Sequence, residues 1–399
     1  MMKNTSSEMQ NKRNERIQLY KDSARLKKTN RILNSCNFFA WMVYDAGQKL
    51  NTAYRDFQMR KDIITRFQEK YGFDLYKDYL TRNPALISDA LGSGSYVLDD
   101  EIFSVSFKDF SIMDTDDYDD LIKIYAEDKG AGFGKFLWKK IVLRKFKKLA
   151  EPGAKERLRK AAISTRDYFD YMDSISKYFN ERFGIPRFSE TFTVPSYYEA
   201  LINEYRGMRG ISIDLRRIPE KVKALCAAYG FGPDFEKYMA TTQKGSNMNT
   251  CADIGTGLLG HTFLSTKQFR ELYWSGLEKL FRFIEEKDKI LFIFAEGETS
   301  RFYEFIKEAP KGHVVLQIEM DDIFETKKAL GDKVCLTGGM PCSLLYNGTV
   351  KENIAYAKRL IDELSPGYIF STDKMVSFPV DCKAENLKAV NDFVRDYRL

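Results

Sequence analysis

From Asp288 to Thr372 the chain reads as short apolar runs set between helical patterns: ILFIFAEG, HVVLQIEMDD, KVCLTGGMPCSLL and GYIFSTD. Runs this apolar, separated by helices, predict parallel strands buried on both faces, with the chemistry held in the loops at their carboxyl ends. Glu296, Glu319, Gly338, Gly339 and Asp373 fall at those ends. The patterning predicts strands at 32–39, 73–79, 189–193, 249–254, 290–295, 314–318, 333–337 and 368–371, eight in all. Eight parallel strands with intervening helices favour an α/β fold of the closed (β/α)8 TIM-barrel kind over an open sheet.

Helical spacing is expected over 9–29, from Leu50 to Tyr71, and through most of the stretch from Tyr118 to Phe183. Beyond it, helices are predicted near 196–204, 219–229, 266–287, 301–308, 323–330, 351–364 and 384–397, with Pro219 and Ser265 as start signals. The segment LGSGSYVLDDEIFSVSFKDFSIMD reads as a β-hairpin, because Asp99–Asp100 separates two alternating stretches. Pro152–Gly153 breaks one helix from the next, since proline lacks the N–H that a helix interior needs. The expectation is one domain over 1–399, with an N-terminal helical extension at 1–30, a hairpin and helical insertion at about 92–185, and the barrel portion at 186–399.

At 399 residues and 44% hydrophobic composition the chain can bury a large core. No apolar run reaches membrane-spanning length, and the start MMKNTSSEMQNKRNER has no apolar centre, so a cytoplasmic protein is expected. Six cysteines without a CxxC pair predict reduced thiols. A net charge of +6 is small for this length and gives no reason to expect nucleic-acid binding. Between Lys135 and Lys160, however, eleven basic residues face two acids. That run reads either as a solvated amphipathic helix with Phe136, Leu137, Ile141 and Leu149 turned inward, or as a docking face for an acidic protein partner.

The segments RGMRGISIDLRRIPEKV (206–222), LLGHTFLSTKQFRELYWSGLEKL (258–280), LFIFAEGE (291–298), the stretch 330–364, and GYIFSTD with CKAENLKAVNDFV (367–394) together resemble the uroporphyrinogen decarboxylase superfamily. The branch most similar is that of the long members from anaerobes, related to methyltransferases of corrinoid-dependent demethylase systems. The resemblance implies a barrel with its site at the strand carboxyl ends. It also implies a methyl group moved from a small methylated substrate to a corrinoid on a separate partner protein, with zinc as the metal. The arginine-rich N-terminal motif of the true decarboxylases is missing; the matching region is the neutral NSCNFFAWMVYDAG. A substrate with many carboxylates needs such clustered guanidinium donors, so tetrapyrrole decarboxylation stands as the alternative, beside a barrel kept only as a binding module. The His-x-Cys of thiol-activating methyltransferases is also absent, with Phe294 and Glu296 in its place and Ser371-Thr372-Asp373 where a later cysteine would stand. The demethylase-type relatives use carboxylates and a histidine, and here Glu296, Glu319 and His261 supply such a set, with Glu304 a further acid.

Each assignment has a plainer counterpart. Glu296 ends an apolar strand before Gly297 and is expected in the barrel mouth, although it could cap the next helix instead. Glu319 competes with Asp321 and Asp322 for the same capping role. His261 is one of two histidines, and a lone histidine is more often structural; His313 is placed on the opposite rim. Cys342 reads as an inert buried thiol or a soft ligand. Gly338 and Gly339 are read as permitting close backbone approach to a ligand, and Asp373 as part of the substrate site. Asp214, Arg216 and Arg217 lie at or after the end of ISIDL, and Arg216 is expected either to grip a substrate carboxylate or to pair on the outer helix. Phe38 and Phe39, with Trp41 and Tyr44, are candidate walls of an aromatic pocket.

Overall fold

A computed structural model of the chain describes residues 2–82, 84–92, 96–107 and 111–399. Each of the eight expected strands is present. In chain order the strands are β1 Ser35–Cys36, β2 Leu75–Tyr76, β3 Tyr96–Asp99, β4 Ser104–Phe107, β5 Arg187–Thr193, β6 Thr250–Leu258, β7 Leu291–Ala295, β8 Val314–Ile318, β9 Cys335–Met340 and β10 Tyr368–Thr372. β5 to β10 form a six-stranded parallel sheet in sequence order, and β1 pairs in parallel with β2. A parallel bridge between Asn34 and Phe370 joins the two, with the Phe370 N–H donating to the Leu33 carbonyl at 3.0 Å.

Closure is where the structure departs from expectation. Among the described residues no ladder joins β2 to β5, so the eight strands lie side by side without a completed ring of backbone hydrogen bonds. The cause is length. β1 and β2 hold two residues each, where the apolar pattern suggested eight and seven, because the chain leaves strand geometry at Asn37 and Lys77.

Two buried clusters divide the apolar side chains. The smaller contains Leu33, Leu75, Phe292, Val315, Cys335 and Ile369, one from each of six strands or strand entries, together with Ile17, Tyr20 and Ala24 of the N-terminal helix Met2–Ala24. These are the inward-facing residues of the strand array, and the helix packs against their amino-terminal layer. The larger cluster joins the opposite strand faces to the helical shell. The helical shell follows the predicted spacing closely at Pro219–Tyr229, Ile323–Leu330, Val350–Leu364 and Ala384–Asp396. The hairpin forms as expected from β3 and β4, antiparallel with Asp99 opposite Ser104; the predicted positions 93–95 and 108–110 lie outside the described residues. Among the described residues no helix is long and apolar enough to cross a membrane.

ISIDL lies in the helix Gly207–Arg217, whose buried residues Gly207, Gly210, Ile211 and Asp214 recur at helical spacing. Asp214 accepts from Arg206 and, at 2.8 Å, from the Tyr118 hydroxyl.

The short β1–β2 pair is held from below by charge. Asp74 is buried, and its carboxylate accepts from Arg16 Nε at 2.9 Å, Arg31 Nη1 at 2.8 Å and the Asn34 backbone N–H at 3.1 Å. Burial alone would raise the Asp74 pKa, but Arg16 and Arg31 outweigh it and hold the carboxyl below its usual range. Asp74→Ala removes the buried carboxylate that Arg16 and Arg31 share, leaving Arg16 only the Phe183 and Gly184 carbonyls and Arg31 the exposed Glu15 and its neighbouring carbonyl, and is expected to destabilise the fold by about 3–5 kcal/mol in urea unfolding, whereas a loss under about 1 kcal/mol would contradict this role. The folded pKa is depressed, so the stabilisation is full above the unfolded value of about 3.9 and is lost as pH falls through the folded value.

Candidate active site at the strand carboxyl ends

Along a strand, side chains two apart share a face. From the inward layer just described, Leu33 leads to Asn37, Leu75 to Lys77, Phe292 to Phe294 and Glu296, and Val315 to Gln317 and Glu319. Asn37, Lys77, Phe292, Phe294, Glu296 and Gln317 do line one cavity of about 540 Å³. A second hollow of about 470 Å³ adjoins it, sharing Asn203, Leu259 and Glu296, and adds Glu319, Glu298 and Arg301.

Glu296 and Glu319 are thus brought together. The Glu319 carboxylate accepts from the Gly297 N–H at 2.6 Å, fixing it beside the residue that follows Glu296. Glu296 stays open to solvent at the rim, and burial by the surrounding walls raises its pKa, against a lowering by Arg82. Burial likewise raises Glu319, with Glu296 and Asp373 adding to the shift and the Gly297 N–H opposing it. Two carboxyls above their usual range at one cavity mouth are suited to donating protons.

His261 is not with them. It is fully buried, its Nε2 lies 3.1 Å from the Glu298 carbonyl oxygen, and its ring meets Phe302 edge-on at 5.5 Å. Burial pushes its pKa down to about 4, so the ring is neutral at pH 7. Among the described residues no group of three His, Cys, Asp or Glu side chains is placed to hold a metal ion. The set Glu296, Glu319 and His261 therefore does not fit zinc here, because the histidine is spent on the Glu298 loop and two carboxyls remain.

The other expected site residues are placed as follows. Arg216 is exposed on the helix Gly207–Arg217 and lines neither hollow. Phe38 and Phe39 are core residues: Phe38 packs on Trp41, Phe67 and Phe73, and Phe39 on Tyr54. Gly338 has φ +116°, and a Cβ there would stand 2.4 Å from the Ile318 carbonyl oxygen, so it serves the β8–β9 contact. Gly339, at φ +85°, would press a Cβ against Ile323 at 2.8 Å, so neither glycine is needed for a ligand's approach. Asp373 accepts from the Cys342 and Lys374 N–H groups at 3.1 and 2.7 Å and pins the loop after β9. Cys342 is a buried free thiol, pushed up by burial. Glu304 pairs with Arg270 at 3.4 Å on the surface. In the basic run, Lys140 and Arg144 pair with the buried Asp117, which assigns part of that charge to structure.

Lys77, Gln317, Asn37 and Glu199 were not singled out from the sequence. Lys77 donates to Gln317 Oε1 and lies 5.1 Å from the Phe292 ring centroid; burial lowers its pKa to about 7. Glu199, almost fully buried, accepts from the Leu259 and Gly260 N–H groups at 2.7 and 3.3 Å and from the Tyr273 hydroxyl, fixing the loop after β6. Carrying the two-residue period outward from Leu75 and Val315 is the signal that finds the first two.

Residues 214–397, which carry β6 to β10, match the family described as uroporphyrinogen decarboxylase (URO-D). The resemblance read from the motifs is thereby borne out over those residues. No curated protein matches the chain. Among solved structures, a methyltransferase from Methanosarcina mazei is similar in fold, with a TM-score of 0.57 at 11% identity over 95% of this chain and 97% of that one.

A buried neutral histidine makes a checkable difference to the stability of this fold. The folded pKa of His261 is depressed, so its stabilisation is full above the unfolded value of about 6.5 and is lost progressively as pH falls towards about 4. His261→Asn is expected to flatten the fall in unfolding free energy between those values, and added zinc to leave the melting temperature unchanged. A zinc-dependent rise abolished by His261→Asn would overturn the placement.

Proposed function

We propose that the protein is a methyltransferase that takes a methyl group from a small methylated compound, of the aryl methyl ether class, and passes it to a corrinoid carried by a separate protein. In this reading the eight parallel strands are a (β/α)8 barrel whose mouth holds the chemistry. The observation that carries it is Glu296, a carboxyl raised by burial at the end of β7, open at the rim of the cavity and beside Glu319. The overall likeness to a methyltransferase supports the same assignment.

The corrinoid supplies the electron-rich cobalt that accepts the methyl group. The residues of this chain manage the leaving oxygen. As the C–O bond breaks, its electron pair goes to the oxygen, which takes a proton from the Glu296 carboxyl. Burial by the cavity walls favours the protonated form of that carboxyl. Glu296, left as a carboxylate at the rim, regains its proton from solvent. Phe292 and Phe294 give the cavity an apolar wall that excludes water from the reacting bond. Decarboxylation of a tetrapyrrole fits less well, because the cations among the described residues lining the two hollows are Lys77, Arg82 and Arg301, and Arg301 is spent on the Thr262 and Leu264 carbonyls.

Methyl transfer from a panel of aryl methyl ethers to reduced cobalamin, followed by absorbance, tests the proposal. Glu296→Gln is expected to lower kcat by roughly 10²–10³-fold with little change in KM, and an unaltered kcat would remove Glu296 from the chemistry.

A further inference from the structure

The floor of the strand-end cavity carries hydrogen-bond donors that lack acceptors. Gln317 is 1% exposed, and its Oε1 accepts from Lys77. A lysine ammonium has donors only, so this contact fixes the amide's orientation and leaves Nε2 as a donor, which has no partner among the described residues. Asn37, 8% exposed, has an amide nitrogen in the same state. The Lys77 ammonium offers three donors and meets Gln317; among the described residues no carboxylate pairs with it. Arg82, the other cation lining the cavity, is already 3.6 Å from Asp78.

Buried donors without acceptors, lining one cavity with an ammonium that has no counter-ion, are costly unless something enters to accept from them. The walls next to them are aromatic: Phe188, Phe192, Phe292 and Phe294. We propose that this cavity binds a small aromatic carboxylate, its carboxylate seated on Lys77, Gln317 and Asn37 and its ring held against Phe292 and Phe294. One ammonium and two amide groups match a monoanion; a phosphate dianion would keep uncompensated charge there. The inference rests on reading the strand-end cavity as the substrate pocket. It narrows the methyl donor to a methylated aromatic acid, with the anion at the floor and the ether towards Glu296 at the rim.

Calorimetric titration of the full chain with benzoate, 4-methoxybenzoate, benzamide and inorganic phosphate tests it. Both carboxylates are expected to bind about tenfold or more tightly than benzamide, and Lys77→Met, which keeps the stem and removes the charge, to abolish that preference. Gln317→Leu serves as the second variant should Lys77→Met not fold, and is expected to weaken both carboxylates; circular dichroism checks each. Absence of carboxylate binding at millimolar concentration, equal affinity for benzamide, tighter binding of phosphate, or benzoate affinity unchanged in the folded variants would overturn the proposal. Carboxylate binding without methyl transfer would sink the assigned reaction and leave the anion site standing; methyl transfer from neutral ethers with no carboxylate preference would do the reverse.

Discussion

The two-residue alternation of parallel strands is the constraint from which the rest follows. Every inward position must be filled, and the N-terminal helix Met2–Ala24 closes the amino-terminal layer by lodging Ile17, Tyr20 and Ala24 against Leu33, Leu75 and Val315. One step along the same faces the side chains become Lys77 and Gln317, and one further step Asn37, Glu296 and Glu319. The polarity of the interior therefore rises from one end to the other. A dry, close-packed base holds the strands in place, and the cavity above it presents polar groups whose burial shifts their protonation.

That gradient explains why the titratable groups behave as they do. Lys77 sits just above the apolar layer, against Phe292, and loses basicity. Glu296 and Glu319 stand nearer the opening, where partial burial raises both carboxyls without removing them from solvent. Stability and chemistry are thereby separated along one axis. The Arg16–Asp74–Arg31 cluster, which secures the shortest strands, lies at the packed end, away from the cavity.

Much of this was legible in the sequence. The eight strands were visible because buried parallel strands are almost wholly apolar, and the two acids at the ends of β7 and β8 stand out against such runs. Arg216 was read either as a substrate grip or as a pairing residue on the outer helix, and ISIDL alone is too short to reveal the helical recurrence of Gly207, Gly210, Ile211 and Asp214 that puts it on an exposed helix face. Phe38 and Phe39 were indistinguishable from pocket walls, since an aromatic residue has the same identity in a core as in a cleft. His261 drew attention through rarity, yet its surroundings, the Glu298 carbonyl and Phe302, come from segments some forty residues away and leave no local trace. Barrel closure depends on how far β1 and β2 extend, which local pattern does not set.

The proposed anion-binding floor and the acidic rim share one cavity, and the orientation of a bound ligand tests that arrangement most directly. In a crystal structure of the protein soaked with 4-methoxybenzoate, the carboxylate should lie within hydrogen-bond distance of Lys77 and Gln317, with the ether oxygen directed to Glu296. A ligand bound the other way round, or lodged outside the strand-end cavity, would contradict it.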